Sequence, residues 1–254
     1  MNHRIIARLD IKQDHVIKGL QMEGWRKVGN PRELAIRYYL DGADELFYND
    51  AVASLYQRNS LTDILIEVAK EVFLPITACG GISDIPTANS LLRAGADKLA
   101  INTNATRNPA LIEEISCNFG SQATVLSIEA KKINDHNWEV MIENGRNHTG
   151  INVEHWVESN LKRGIGEIII TSVDRDGVCR GPDIELVDRI LRIANVPVIA
   201  SGGVSSFEDC AKLFLKGTSG VGIGAALHKG LFTITDLKKR FSQIGAFGIR
   251  PIDD

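Results

Sequence analysis

Two rhythms of apolar residues alternate along this chain. Short runs in which almost every position is apolar or β-branched predict buried strands at 4–11, 44–51, 75–80, 98–102, 124–130, 167–173, 196–202 and 220–227. Between them, apolar residues recurring three and four apart predict helices at 31–41, 61–73, 86–94, 109–118, 153–163, 184–194, 206–216 and 232–243. Asn30-Pro31 and Asn108-Pro109 are helix-start signals, and glycines end several helices, as in DGADE, RAGADK, NFGSQ, KRGIGE and LKGTSG. Eight strands alternating with eight helices over 254 residues predict one α/β domain, residues 1–254, whose parallel sheet closes into a (β/α)8 TIM barrel. A doubly wound open sheet is the rival. One further segment, NWEVMIENGRNHTG, predicts a hairpin inserted at about 133–150.

The pattern also repeats. DGADELF (41–47) returns as RGIGEII (163–169), ACGGIS (78–83) as ASGGVS (200–205) and AGADKLAIN (94–102) as KGTSGVGIG (216–224), each displaced by 122 residues. RLDIK (8–12) returns as SIEAK (127–131), displaced by 119. A shared offset at several places predicts two duplicated half-barrels, about 1–120 and 121–245.

Duplication bears on the ligand. Loops after the last two strands of such barrels commonly hold a phosphate, because glycine lets backbone N–H groups approach and a helix start favours an anion. Gly202 and Gly203, followed by Gly224 and Ala225, fit that reading; their counterparts are Gly81, followed by Asn102 and Thr103. Either Gly-Gly pair alone reads equally as a tight turn. As a symmetric pair they predict a small-molecule substrate phosphorylated at both ends.

Carboxylates gather on the same rim. Asp10 closes the first strand, Asp50 the second and Glu129 the fifth, while TSVDRDGVCRGPD (171–183) follows the sixth with Asp174, Asp176 and Gly177. Catalytic groups of this fold come from the C-terminal ends of different strands. Asp10 and Glu129 are candidates for dividing general acid and base work; the plainer reading is solvated caps or pairing with Lys12 and Lys131. At the other end, Arg4, Glu45, Lys98 and Glu167 open four strands. Pointing inward, they would form a mixed-charge ring, either a structural plug or a gate on the barrel axis.

Composition narrows the class. With 44% hydrophobic and 24% charged residues and a net charge of −3, the chain reads as globular, with no nucleic-acid surface expected. No apolar run reaches the roughly 18 residues of a membrane span and MNHRIIARLD lacks a signal-peptide core, so a cytoplasmic location is expected. Cys79, Cys117, Cys179 and Cys210 lie far apart and suggest reduced thiols; the six histidines lack ligand spacing, so neither metal nor cofactor is expected. Trp25, in MEGWRKVG, reads either as a lid over substrate or as an exposed loop aromatic, and GIRPIDD (248–254) reads as a tail.

The segments RIIARLDIK, VIKG, GADELFYNDAVAS, CGGI, GADKLAINT, FGSQ, TSVDRDG, ASGG and ALH together resemble the HisF family, the cyclase subunits of imidazole glycerol phosphate synthase, over nearly the whole chain. The resemblance implies a heterodimer with a glutaminase (HisH-like) on the N-terminal face, ammonia passing a charged gate and the barrel axis, and conversion of a bisphosphorylated substrate to imidazole glycerol phosphate and aminoimidazole carboxamide ribotide. It implies Asp10 and position 129 as catalytic carboxylates and Lys18 in a mobile first loop. It places Asn102, Thr103, Asp176, Gly177, Gly203 and Gly224 near phosphates, Arg4, Glu45, Lys98 and Glu167 at the gate, and Asp97 facing the glutaminase. Departures cluster at the rim: Glu129 where the family has Asp, Arg8 for Cys, Cys79 for Gly, Val178 for Thr and Ala225 for Ser. A changed acceptor is therefore a second expectation. RLDIK, VASLYQRNSL (52–61) and SIEAKK look similar to paralogues that pass ammonia to a nucleotide sugar for amidation or acetamidino modification in lipopolysaccharide or capsule synthesis. A third expectation is a barrel kept only as an ammonia conduit.

Overall fold

The computed structural model describes residues 3–53, 61–245 and 247–251. Its first half runs β1 (Arg4–Lys12), the hairpin β2 (His15–Leu20) and β3 (Glu23–Gly29), α1 (Pro31–Leu40), β4 (Glu45–Asp50), α2 (Leu61–Val68), β5 (Ile76–Cys79), α3 (Ile85–Arg93), β6 (Lys98–Ile101), α4 (Thr103–Arg107) and α5 (Ala110–Phe119). The second runs β7 (Thr124–Asn134), the hairpin β8 (Asn137–Ile142) and β9 (Asn147–Asn152), α6 (Val153–Leu161), β10 (Glu167–Ser172), α7 (Ile184–Ile193), β11 (Val198–Ser201), α8 (Phe207–Lys216), β12 (Gly220–Ile223), α9 (Ala225–His228) and α10 (Ile234–Ile244). Strands β1, β4, β5, β6, β7, β10, β11 and β12 are parallel neighbours, and β12 pairs with β1 to close the circle. The open-sheet rival is thereby excluded.

Strand parity builds the interior. Successive strand side chains point to opposite faces. Ile5, Ala7, Leu9 and Ile11 of β1 join the main core under the helices, whereas Ile6 belongs to a separate apolar cluster with Phe47, Cys79, Ala100, Val125, Ile169 and Ile199. That second cluster fills the barrel. Arg4, Arg8 and Asp10 share the parity of Ile6, so they too face inward, below and above it.

The helices cover the outside with amphipathic faces capped by short polar side chains. In α7, Leu186, Val187 and Ile190 are buried, and Asp183 accepts from the Leu186 N–H at 3.1 Å. Asn30 caps α1 by accepting from Arg32 N and Glu33 N, with Pro31 opening the helix. Each such cap contributes about 1 kcal/mol.

Three segments differ from expectation. α2 stops at Val68 instead of reaching 73: a turn follows that still buries Val72, and Pro75 sends the chain into extended β5. Residues 13–29, expected as a loop carrying Lys18, form the antiparallel pair β2–β3 instead. GIRPIDD is no free tail over its described part: His3 N donates to the Gly248 carbonyl at 2.6 Å, His3 bridges Ile249, and Arg250 pairs with Asp44 at 3.0 Å.

Candidate active site

At the end where the strands begin, four charges close into a ring. Arg4 Nη1 meets Glu45 Oε2 at 2.7 Å and its Nη2 meets Glu167; Lys98 Nζ donates to Glu45 Oε2 at 2.9 Å and to Glu167 Oε2 at 2.8 Å. Thr77 Oγ1 donates to the second Glu45 oxygen at 2.6 Å. Two cations balance two buried carboxylates, which is the pairing that makes their desolvation tolerable. Asp97, immediately before β6, is exposed on this face and accepts from Ile76 N at 2.8 Å.

Above the ring comes the apolar belt of Ile6, Phe47, Val125, Ile169 and Ile199, and above the belt the rim. Asp10 is 7% exposed and saturated with donors: Arg8 Nε at 3.0 Å and Asn49 Nδ2 at 3.0 Å on one oxygen, Lys18 Nζ at 2.7 Å on the other. Lys18 also reaches Asp176 Oδ1 at 2.8 Å. Burial favours a neutral Asp10, but Arg8 and Lys18 outweigh it and hold the carboxyl far below the usual range. Glu129, 6% exposed, accepts the Gly145 N–H at 2.8 Å. Burial pushes it up to about 7, opposed by Gly145 and Arg8 and reinforced by the charges of Asp10 and Asp176. The two carboxyls are thus driven apart: one is a fixed anion, the other poised near neutrality. Burial likewise pushes the nearby Cys79 thiol up to about 12, leaving it neutral.

Two crevices flank this centre. One is lined by Asn49, Asp50, Gly81, Asn102, Thr103 and Glu129; the other by Asp176, Gly202, Gly203, Gly224 and Ala225. Asn102 (φ −123°, ψ −86°) and Gly224 (φ −115°, ψ −78°) share nearly one backbone conformation, 122 positions apart, and each precedes a short helix. Gly203 has φ +89°, and a Cβ there would stand 2.3 Å from the Gly181 carbonyl, so no side chain fits. Gly177 (φ +74°) is held in the same way against the Gly19 carbonyl, at 1.9 Å from a would-be Cβ. Its glycine thus serves hairpin docking as well as the crevice.

The sequence-selected residues do not all converge. Asp174 lies in neither crevice: its carboxylate accepts the Lys132 N–H at 2.8 Å, pinning the outer end of β7. Lys18 lies on β2, with its ammonium buried between Asp10 and Asp176. Trp25 is half-buried, its indole N–H on the Met22 carbonyl and its ring between Lys12 and Arg146, so it joins the two hairpins. Sequence reasoning missed Asn49, Asn144 and Gly145 altogether. Glu143, Asn144 and Gly145 all have positive φ at the β8–β9 turn, and the EN-G string was the available signal for a tight turn that reaches the rim. Of VASLYQRNSL, residues 54–60 lie outside the described residues.

Comparison with known proteins agrees with this geometry. The model of the histidine biosynthesis protein family matches residues 4–233. The imidazole glycerol phosphate synthase subunit HisF of Legionella pneumophila is 54% identical over 208 residues, 82% of this chain and 98% of that protein. HisF of Dictyoglomus thermophilum is 43% identical over 242 residues, 95% and 96% of the two chains, and HisF of Prochlorococcus marinus is 42% identical over 253 residues, 98% of each. These relatives are named as subunits of a synthase, and they favour the cyclase reading over the nucleotide-sugar and conduit readings.

Proposed function

The chain belongs to the HisF family of histidine biosynthesis proteins, and from that premise we propose that it is the cyclase subunit of a cytoplasmic imidazole glycerol phosphate synthase, using ammonia from a glutaminase partner. The substrate is the bisphosphorylated ribulosyl aminoimidazole carboxamide intermediate; the products are imidazole glycerol phosphate and aminoimidazole carboxamide ribotide. The observation that carries this reading is the pair of crevices, matched across the 122-residue repeat, on either side of two carboxyls whose surroundings push one down and the other up. One crevice takes each phosphate, which places the middle of the substrate over Asp10 and Glu129. We take the repeat as two half-barrels, each supplying one phosphate site.

Joining ammonia to the ribulosyl keto carbon forms a C–N bond and expels the keto oxygen as water. Glu129 takes protons from the attacking nitrogen and passes them to the keto oxygen, so that the two protons the nitrogen loses leave with that oxygen as water, while Asp10, kept anionic by Arg8 and Lys18, stabilises the positive charge that develops on the nitrogen. Glu129 keeps the carboxyl that the family's Asp supplies, and the Gly145 N–H orients it. Ammonia enters through the Arg4, Glu45, Lys98 and Glu167 ring and crosses the apolar belt as the neutral molecule. On the strand-start end of the barrel, Leu40 at the end of α1, Phe73 after α2 and Leu215 in the last turn of α8 are exposed at 74%, 76% and 76%, and exposed Asp97 precedes β6 at that same end. Exposed apolar groups rimmed by charge suit a protein interface, here with the glutaminase.

Purified protein given the bisphosphate and ammonium salt at mildly alkaline pH should form imidazole glycerol phosphate, and Asp10→Asn should not. Absence of product from a well-folded wild type would overturn the reading.

A further inference from the structure

Arg8 is a buried cation of the barrel interior, 3% exposed, at the level where the belt gives way to the rim. Its Nε donates to Asp10 Oδ1 at 3.0 Å, its Nη1 to Thr171 Oγ1 of β10 at 2.7 Å and more weakly to Ser201 Oγ of β11 at 3.4 Å. The guanidinium carbon stands 5.5 Å from the centroid of the Phe47 ring of β4. The side chain therefore crosses the barrel from β1 and is fixed at both ends and from below. A guanidinium does not lose its proton here and its planar fork is not replaced by an ammonium. The proposed chemistry uses Arg8 only through Asp10, and its contact with the crevice side of the barrel is the weak one to Ser201.

Its surroundings explain its use. Lys18 from β2 and Asn49 from β4 face Asp10 beside it, Asp176 faces Lys18 from the loop after β10, and Glu129 of β7 interacts with the charge of Arg8 across the interior. His228, on α9, feels both Lys18 and Asp10. Lys18 alone would be shared between two carboxylates. With Arg8 present, Asp10 has a cation on each oxygen, one of them immobile.

We propose that Arg8 is a positioning residue that assigns different roles to the two carboxyls: it locks Asp10 in one orientation as the permanent anion and leaves Glu129 as the group that exchanges protons. The proposal rests on the cyclase reading for its catalytic consequence, but its first test needs no substrate. Carboxyl-carbon NMR titration of the free protein, with Asp10 and Glu129 assigned through Asp10→Asn and Glu129→Gln, reads the two groups directly. In Arg8→Met, Asp10 and Glu129 should both titrate at higher pH, by about one unit or more, and the kcat–pH profile for ammonium-dependent turnover should move with Glu129. Arg8→Lys should restore the Asp10 titration while recovering only part of kcat, because an ammonium cannot hold Asp10 and Thr171 together. A folded Arg8→Met with both titrations unmoved overturns the proposal. If Arg8→Met does not fold, Thr171→Val removes one anchor only; kcat should drop roughly tenfold with KM held, a loss of about 1.4 kcal/mol, and an unchanged kcat overturns the proposal. Should wild type make no imidazole glycerol phosphate, the cyclase reading fails, and the titrations still decide the role of Arg8.

Discussion

Glu129 carries a stability signature as well as a catalytic one. Burial raises it from the ordinary 4.5 to about 7, so between those values the folded state keeps a proton that the unfolded state has released. Stability must then fall as pH rises through that window and stay lower above it, by on the order of 3 kcal/mol. Glu129→Gln is neutral throughout, so its stability relative to wild type should rise by about that amount between pH 5 and pH 8, measured by urea unfolding at both; an equal offset at the two pH values would show that Glu129 is ionised in the fold. Lys18→Met should lower ammonium-dependent kcat about a hundredfold or more, since it leaves Asp10 and Asp176 to face one another. Asp10 and Glu129 were legible because a carboxylate ending an apolar run sits on the rim of any such barrel. The opposite directions in which they are pushed were not: these depend on Arg8, Asn49 and Gly145, which only the closed fold brings together from three elements.

The hairpins are where elements and sequence part. Barrel strands announce themselves by continuous apolar runs, and their inward parity correctly points Arg4 and Glu167 into the interior. The β2–β3 pair does not, because HVIKGL and EGWRKVG bury little and their turn uses Gln21 and Met22 at positive φ in place of the usual glycine. Its docking depends on Gly177 instead. Gly177→Ala would bring a methyl carbon against the Gly19 carbonyl and strain a φ of +74°, costing about 1–3 kcal/mol. The expected outcome is faster proteolysis within 13–29 and a raised KM for the bisphosphate, with the far-UV circular dichroism of the barrel kept. Unaltered proteolysis would mean that the hairpin is held mainly elsewhere, for instance through Trp25.

At the scale of the molecule the barrel has an end with two matched crevices and an end with a ring of charges, and the repeat predicts the first while three-dimensional closure assembles the second. Residues 4, 45, 98 and 167 are far apart in sequence, and their complementary charges become a ring only once the circle of strands is closed. Lys98→Met leaves Glu45 and Glu167 with Arg4 alone. It should destabilise the fold by up to about 3–5 kcal/mol and reduce glutamine-dependent synthesis severalfold while ammonium-dependent synthesis stays near wild type. Loss of both activities together in a folded variant would place Lys98 outside the ammonia route.

If ammonia crosses the barrel as proposed, the belt of Ile6, Phe47, Val125, Ile169 and Ile199 also sets an exchange rate between two reactions that share no atoms other than nitrogen. An apolar interior passes uncharged ammonia and turns away ammonium and water, so each glutamine hydrolysed by the partner should yield one molecule of product. Widening the belt, as in Phe47→Ala, should show itself first as wasted glutamine, with the ratio of glutamate released to imidazole glycerol phosphate formed climbing above one before either catalytic centre slows.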